Sequence, residues 1–157
     1  MKNLLFVCLG NICRSPAAEE IMRQIIAADP LLRGRWRVDS AGIGAWHVGQ
    51  LPDSRMRRHG MLRGYDFRSR ARQIVRQDFD RFDLVLGMDA GNMDDLSALT
   101  RTDADRAKLR SLAAYMTRHP SYTTIPDPYY GGEDDFELAL DLIEDACQEL
   151  ARALHEE

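Results

Sequence analysis

A cysteine and an arginine stand six positions apart near the start of the chain, within the stretch VCLGNICRSP at residues 7–16. A cysteine thiolate is a nucleophile, and a guanidinium offers a planar fork of donors for two oxygens of a phosphoryl group. Between Cys8 and Arg14, Gly10 permits a tight backbone turn. These residue types together indicate nucleophilic attack on a centre that carries several charged oxygens, such as phosphorus.

The sequence on either side places this stretch at a turn from a strand to a helix. Residues 3–8 form a nearly continuous apolar run, which is typical of a buried central strand. Ser15 and Pro16 carry the start signals of a helix, with Ser15 as the cap. Backbone N–H groups and the positive end of a helix dipole converge at such a turn, which favours anions and stabilises a thiolate. The chain has neither a Walker A sequence nor a C-x-x-C pair, so neither an ATP-binding loop nor a dithiol redox centre is indicated.

The rest of the chain alternates apolar runs with amphipathic segments, which favours one α/β domain built on a parallel sheet. Further strands are predicted at residues 36–42, 82–88 and 108–116, and helices are predicted to begin near Asp89 and after Gly131-Gly132. With 157 residues, of which 45% are apolar, the chain is long enough to bury its own core without disulfides or a metal. We therefore expect a single domain over residues 1–157.

Charge and cysteine content limit the surroundings in which the protein works. Residues 1–76 carry a net charge of about +8 and the remainder about −12, for −4 overall. The three cysteines are few and odd in number, which is typical of a reducing compartment, so we expect a cytoplasmic protein. Apolar stretches fall short of the roughly 18 residues that a membrane span needs, so no membrane insertion is expected.

The basic charge is concentrated in the segment RMRRHGMLRGYDFRSRARQIVR at residues 55–76. It contains no nucleic-acid-binding motif, so we interpret it as a solvated face, or as a patch that attracts anionic substrates. A nucleic-acid surface stays open as an alternative that rests on this segment alone. No nucleic-acid partner is expected. The four histidines lack the spacing of metal ligands, and we expect neither a metal nor a cofactor.

Taken together, VCLGNICRSPAAE and the segment DPYYGG at residues 127–132 resemble the low-molecular-weight protein tyrosine phosphatases. The resemblance extends over the whole chain through VDSAG at 38–42, AWHVG at 45–49, RRHG at 57–60 and ARQI at 71–74. It implies a single domain with a four-stranded parallel sheet flanked by helices on both faces. It also implies hydrolysis of phosphotyrosine in proteins, without a cofactor. A phosphotyrosine-bearing protein is the expected partner, and a tyrosine kinase is one candidate.

The resemblance assigns roles to individual residues. Cys8 becomes the nucleophile that forms a phosphocysteine, Arg14 the clamp on the phosphate oxygens, and Asp127 the general acid and base. The expected phosphate-binding loop comprises Leu9, Gly10, Asn11, Ile12, Cys13 and Ser15. Asn11 is expected to hold that loop in its turn with the support of the Ser15 and Ser40 hydroxyls, and Ser15 is also expected to hydrogen-bond the thiolate. Trp46, Tyr129 and Tyr130 are expected to form an aromatic slot for the phenyl ring. Cys13 is also the expected redox partner of Cys8, able to trap its sulfenic acid as a disulfide.

Several alternatives stay open at the level of sequence. A protein arginine phosphatase of the same fold is one, although arginine phosphatases tend to carry a threonine where this chain has Ile12. A catalytically silent phosphotyrosine-binding module would be expected to lack Cys8, Arg14 or Asp127. Arsenate reductases need a further cysteine pair, and rhodanese-like sulfur carriers do not share Asn11 or the DPYY segment. Some family members support the phosphate loop with a histidine where this chain has Ser69, which leaves the support of the loop undetermined.

Overall fold

The structure, a computed structural model, describes residues 1–157 and contains four β-strands and six α-helices. The strands are β1 Lys2–Cys8, β2 Trp36–Gly42, β3 Leu84–Gly87 and β4 Leu109–Ser111. The helices are α1 Arg14–Ala28, α2 Ser54–Leu62, α3 Asp78–Arg81, α4 Ala90–Leu99, α5 Asp103–Arg106 and α6 Glu133–Leu154. A single turn of 3-10 helix spans Leu112–Tyr115.

The four strands form one parallel sheet in the order β2-β1-β3-β4, as the resemblance implied. The apolar run at residues 4–8 is buried because β1 lies between two other strands and is covered on both faces. Cys8 is the last residue of β1 and pairs with Gly42 at the end of β2, while Val7 pairs with Gly87 at the end of β3. The loops that follow these three strands therefore meet at one edge of the sheet, around Cys8.

Alternate residues of β1 point into two different cores, one on each face of the sheet. Leu4 and Phe6 belong to the larger core, which α1 and α6 cover. Leu5 and Val7 belong to the smaller core, which includes residues of α3 and α4. The prediction of an α/β fold with helices on both faces is confirmed.

Two details of the predicted elements are wrong. The strand predicted at residues 108–116 covers only Leu109–Ser111, because the apolar residues that follow turn into a 3-10 helix that packs on α6. Ser15 is not the cap of α1, since that helix begins at Arg14 with Cys13 in the cap position and with no side-chain cap. The Ser15 hydroxyl is instead used in the hydrogen-bond network beneath Cys8. None of the helices is long and apolar enough to cross a membrane.

Candidate active site

A cleft of about 290 Å³ opens at the edge of the sheet where Cys8 ends β1. Its lining includes Cys8, Arg14 and Asp127, so folding brings together the three residues that were expected to carry the chemistry. The complete lining is Cys8, Leu9, Gly10, Ile12, Cys13, Arg14, Trp46, His47, Asp127, Tyr129 and Tyr130. The Cys8 residue is only 3% exposed, which places its thiol at the base of the cleft. Asn11, Ser15 and Ser40 are buried and do not line the cleft.

Asn11 holds the loop between β1 and α1 in its shape. It has a φ of 58°, in the left-handed region that few residues other than glycine adopt but that asparagine tolerates. Its amide group donates to the Ser15 hydroxyl at 2.7 Å and to the Ser40 hydroxyl at 2.9 Å. Its side-chain oxygen accepts from the Arg72 backbone N–H at 3.0 Å. Asn11 is thus fully bonded and fixes the turn that follows Cys8.

The Glu19 carboxylate determines which groups donate and which accept in the hydrogen bonds beneath Cys8. The Ser40 hydroxyl donates to Glu19 at 2.6 Å, because an ionised carboxylate only accepts. The oxygen of Ser40 therefore accepts from Asn11, whose second N–H goes to Ser15. The Ser15 hydrogen is then free for the Cys8 Sγ at 3.0 Å, whereas the Ala41 carbonyl lies further away, at 3.5 Å. A hydrogen bond aimed at this sulfur stabilises its thiolate.

The guanidinium of Arg14 is buried and has hydrogen bonds on Nη1 alone. Its Nη1 donates to the Asp89 carboxylate at 2.7 Å and to the Ile125 carbonyl at 2.8 Å. Its Nη2 lies 3.5 Å from the Asp127 carboxylate. The Nε–H is buried without a hydrogen-bond partner. Unpaired buried donors are rare and unfavourable, and Arg14 lines the cleft, so its guanidinium is suited to an oxyanion.

Asp127 reaches the cleft from the loop between the 3-10 helix and α6, where it stands between Pro126 and Pro128. Its Oδ1 accepts from the Tyr129 backbone N–H at 3.1 Å. About a third of the side chain is exposed. The carboxyl group can therefore exchange protons both with a bound substrate and with water.

Aromatic side chains line the entrance of the cleft. Trp46 is 68% exposed and Tyr130 95%, while Tyr129 is partly buried. The rings of Tyr129 and Tyr130 meet edge to face, with centroids 4.9 Å apart. His47, whose ring centroid lies 6.3 Å from that of Tyr129, also faces the cleft. Such walls fit a flat phenyl ring whose phosphate extends toward the thiol.

The structure adds residues to the site that the sequence analysis did not assign. Asp89 and Glu19 each bind a predicted site residue, and Arg72 supplies the loop support that Ser69 left undetermined. Ser69 itself is partly exposed. The position of Asp89 in the sequence could have predicted its place near Cys8, because it follows the carboxyl end of β3, which adjoins β1 in the sheet.

The three cysteines are all free thiols, and Cys8 and Cys13 both line the cleft. Burial raises the pKa of Cys13 well above its ordinary value, and the negative charges of Asp53 and Cys8 raise it further. Cys147 lies fully buried in the larger core, where burial likewise raises its pKa. Its place in the core agrees with the helical spacing of the apolar residues in α6.

The arginine-rich segment is largely engaged in contacts within the chain. Seven of its eight arginines bind a carboxylate or a backbone carbonyl. The contacts are Arg55–Asp53, Arg57–Pro52, Arg58–Glu133, Arg63–Glu144, Arg68–Asp66, Arg70–Gly49 and Arg72–Asp78. Much of the basic charge therefore connects α2 and the following loop to the rest of the domain.

Comparison with known proteins agrees with this geometry. A sequence model described as low molecular weight phosphotyrosine protein phosphatase matches residues 3–157. The chain belongs to this family. A low molecular weight protein-tyrosine-phosphatase of Streptomyces coelicolor is 41% identical over 156 residues, covering 97% of this chain and 93% of that protein.

Solved structures superpose over nearly the whole chain. A protein tyrosine phosphatase from Entamoeba histolytica has a TM-score of 0.93 and 42% identity, and the match covers 99% of this chain and 98% of that one. A Drosophila arginine phosphatase has a TM-score of 0.88 and 32% identity, with 98% of each chain covered. The shared fold thus includes relatives named for two different phosphorylated side chains.

Proposed function

We propose that this protein hydrolyses phosphotyrosine in proteins through a phosphocysteine intermediate, with all of residues 1–157 acting as one phosphatase domain. The observation that carries the proposal is the grouping of three side chains in one cleft: the Cys8 thiol at its base, the buried unpaired Nε–H of Arg14 and the Asp127 carboxyl. These supply a nucleophile, a donor for the phosphate oxygens and a proton donor for the leaving group.

In the first step the Cys8 thiolate attacks phosphorus, and the bond from phosphorus to the tyrosine oxygen breaks. Arg14 and the backbone N–H groups of residues 9–14 bind the phosphate oxygens as charge redistributes. The proton of the Asp127 carboxylic acid passes to the leaving phenolate oxygen. Tyrosine leaves, and the phosphoryl group stays on sulfur.

In the second step water attacks phosphorus and gives a proton to the Asp127 carboxylate, while the bond from sulfur to phosphorus breaks. The thiolate returns and inorganic phosphate leaves. The hydrogen bond from Ser15 to Cys8 favours both steps in the same way, since it stabilises the thiolate that attacks first and departs second. No electron is gained or lost overall.

The shape of the cleft supports an aryl substrate. Cys8 is nearly buried, whereas the side chains at the entrance, Trp46 and Tyr130, are largely exposed. A phosphate that reaches the thiol must therefore be carried inward on a side chain longer than that of serine. A phenyl ring has that length, and it packs against the aromatic walls.

A second candidate substrate is phosphoarginine, because the Drosophila neighbour is named as an arginine phosphatase. Ile12, which lines the cleft beside the phosphate loop, favours phosphotyrosine, since arginine phosphatases tend to carry a threonine there. Initial rates on phosphotyrosine, phosphoserine and phosphoarginine peptides, measured without added metal, distinguish the two. We expect turnover of phosphotyrosine alone. Faster turnover of phosphoarginine would assign the second activity, and no turnover of any of them would leave an anion-binding module.

Oxidation is a further proposed property of the same site. When peroxide converts the Cys8 thiolate to the sulfenic acid, attack by the Cys13 sulfur forms a disulfide and releases water. Cys8 and Cys13 line the same cleft, and burial raises the pKa of Cys13, so this resolution should be faster at alkaline pH. Thiol reductants would restore activity.

The proposed compartment is the cytoplasm, because free cysteines at a catalytic centre need reducing surroundings. The first partner to test is a tyrosine kinase that carries phosphotyrosine on its own chain. Its dephosphorylation by the wild type, and stable capture by a Cys8→Ser variant, would support that pairing.

A further inference from the structure

Arg55 connects two segments that border the cleft without lining the cleft itself. It lies in the first turn of α2, where its Nε and Nη2 donate to the Asp53 carboxylate at 3.1 and 2.9 Å. The same Nη2 donates to the Tyr129 carbonyl at 2.9 Å. Asp53 is in turn fixed to the phosphate loop, because its backbone N–H donates to the Ile12 carbonyl at 2.8 Å. The Arg55 guanidinium thus joins the loop that carries Asp127 to the loop that follows the nucleophile.

The Arg55 guanidinium is held rigidly enough to act as a fixed link. Its central carbon lies 4.7 Å from the ring centroid of Phe136 on α6 and 5.5 Å from that of Tyr129. Partial burial acts to raise the pKa of Asp53, but the hydrogen bonds from Arg55 outweigh it and lower that pKa below its ordinary value. Asp53 therefore stays ionised to a lower pH than an ordinary aspartate, and its ion pair with Arg55 stays intact over that range.

Asp127 is placed between two carbonyls that arginines bind. Arg14 donates to the carbonyl of Ile125, two residues before Asp127, and Arg55 donates to the carbonyl of Tyr129, two residues after it. The N–H of Tyr129 donates directly to the Asp127 carboxylate at 3.1 Å. Tyr129 therefore links the two residues, because its carbonyl accepts from Arg55 and its N–H orients the carboxylate of Asp127.

We propose that Arg55 is a positioning residue for Asp127, and that it holds the carboxyl group where it can protonate the leaving oxygen. This inference rests on the proposed function. Arg14 performs the matching task upstream, but it also lines the cleft where the phosphate binds, whereas Arg55 does not line the cleft. Displacement of a reacting group by about 1 Å can reduce a rate by about 10²-fold, so a modest shift of this loop would be measurable.

The test measures kcat/KM for phenyl phosphate and p-nitrophenyl phosphate with wild type, Arg55→Gln and Asp127→Ala. The poor leaving group, phenolate, needs the proton of Asp127, whereas p-nitrophenolate leaves with little help. We expect Arg55→Gln to lose about tenfold or more on phenyl phosphate and less than about threefold on p-nitrophenyl phosphate, in the same direction as Asp127→Ala. The matched control is Arg58→Gln, since Arg58 lies on α2 like Arg55 but makes only an exposed ion pair with Glu133 of α6. This control should change neither value.

Two further readouts separate positioning from loss of structure. Inhibition by inorganic phosphate should be unchanged in Arg55→Gln, because the phosphate cage is intact. The double variant with Asp127→Ala should be no more sensitive to the leaving group than Asp127→Ala alone. If Arg55→Gln does not fold, Arg55→Lys keeps the charge without the planar fork and should show the same selective loss to a smaller degree.

Equal losses on both substrates, or no loss on either, would overturn the role of Arg55 and leave the proposed function standing. Failure of the wild type to hydrolyse any aryl phosphate would instead overturn the proposed function, and the inference about Arg55 with it.

Discussion

Replacing Asn11 by alanine should destabilise the protein by about 4 kcal/mol. The substitution removes three buried hydrogen bonds, to Ser15, Ser40 and the Arg72 backbone, each worth about 1 kcal/mol. It also places a Cβ-bearing residue without a local hydrogen bond at a φ of 58°, which adds about 1 kcal/mol. The Asn11→Gly variant loses the same bonds but tolerates the backbone, so it should be more stable than Asn11→Ala by about 0.5–1 kcal/mol.

The free energy of unfolding of both Asn11 variants can be measured by urea titration, with kcat/KM on p-nitrophenyl phosphate measured beside it. Activity should fall in both variants, because the Ser15 hydroxyl loses the donor that directs its own hydrogen to Cys8. Unfolding free energies of both variants within about 0.5 kcal/mol of the wild type would refute the reasoning that Asn11 fixes this loop. Alanine as stable as glycine would refute the part that rests on φ.

Other changes test the surroundings of the site. Glu19→Gln should lower kcat/KM by about tenfold, because a glutamine amide, unlike a carboxylate, can also donate and so no longer forces the Ser40 hydroxyl to donate. The control Glu20→Gln loses only the surface ion pair with Arg23 and should retain full activity. Burial acts to raise the pKa of Asp145, but hydrogen bonds from a histidine and two backbone amides lower it overall. Because this folded-state pKa lies below the unfolded value of about 4, the stabilisation is complete above that value and is lost as the pH falls through the folded pKa. Urea titrations below about pH 4 should therefore show a shallower loss of stability in Asp145→Asn than in wild type. After peroxide treatment, dithiothreitol should restore the wild type but not Cys13→Ser, and equal recovery would remove Cys13 from the redox proposal.

The turn around Cys8 could be predicted from sequence because its signals are local. An apolar strand, a glycine and a Ser-Pro pair all lie within residues 3–16, and the parallel sheet places them as expected. The Ser-Pro pair predicts Ser15 as the cap of α1, and this is wrong, because capping preference considers only the neighbouring backbone. Its hydroxyl instead contacts Asn11 and Cys8 beneath the loop, which is where the family resemblance, rather than the capping signal, leads us to expect it.

Contacts between residues that are far apart in the sequence could not be predicted from such local signals. Asp127 is one of 25 acidic residues, and nothing local marks it as an acid that meets Cys8, so only the family resemblance selected it. Glu19 stands next to Glu20 in the sequence, yet only Glu19 is buried and binds Ser40. Nothing in the sequence distinguishes Arg55 from the other arginines of its segment, and only the folded structure shows its contact with the Tyr129 carbonyl.

The most direct test of the central claim is to look for the phosphocysteine itself. The wild type would be mixed with p-nitrophenyl phosphate, quenched in acid within a turnover and digested for mass spectrometry. We expect a phosphoryl group on the peptide that contains Cys8, and no such group in Cys8→Ser. Rapid turnover with an unmodified Cys8, or with the phosphoryl group on another residue, would contradict it.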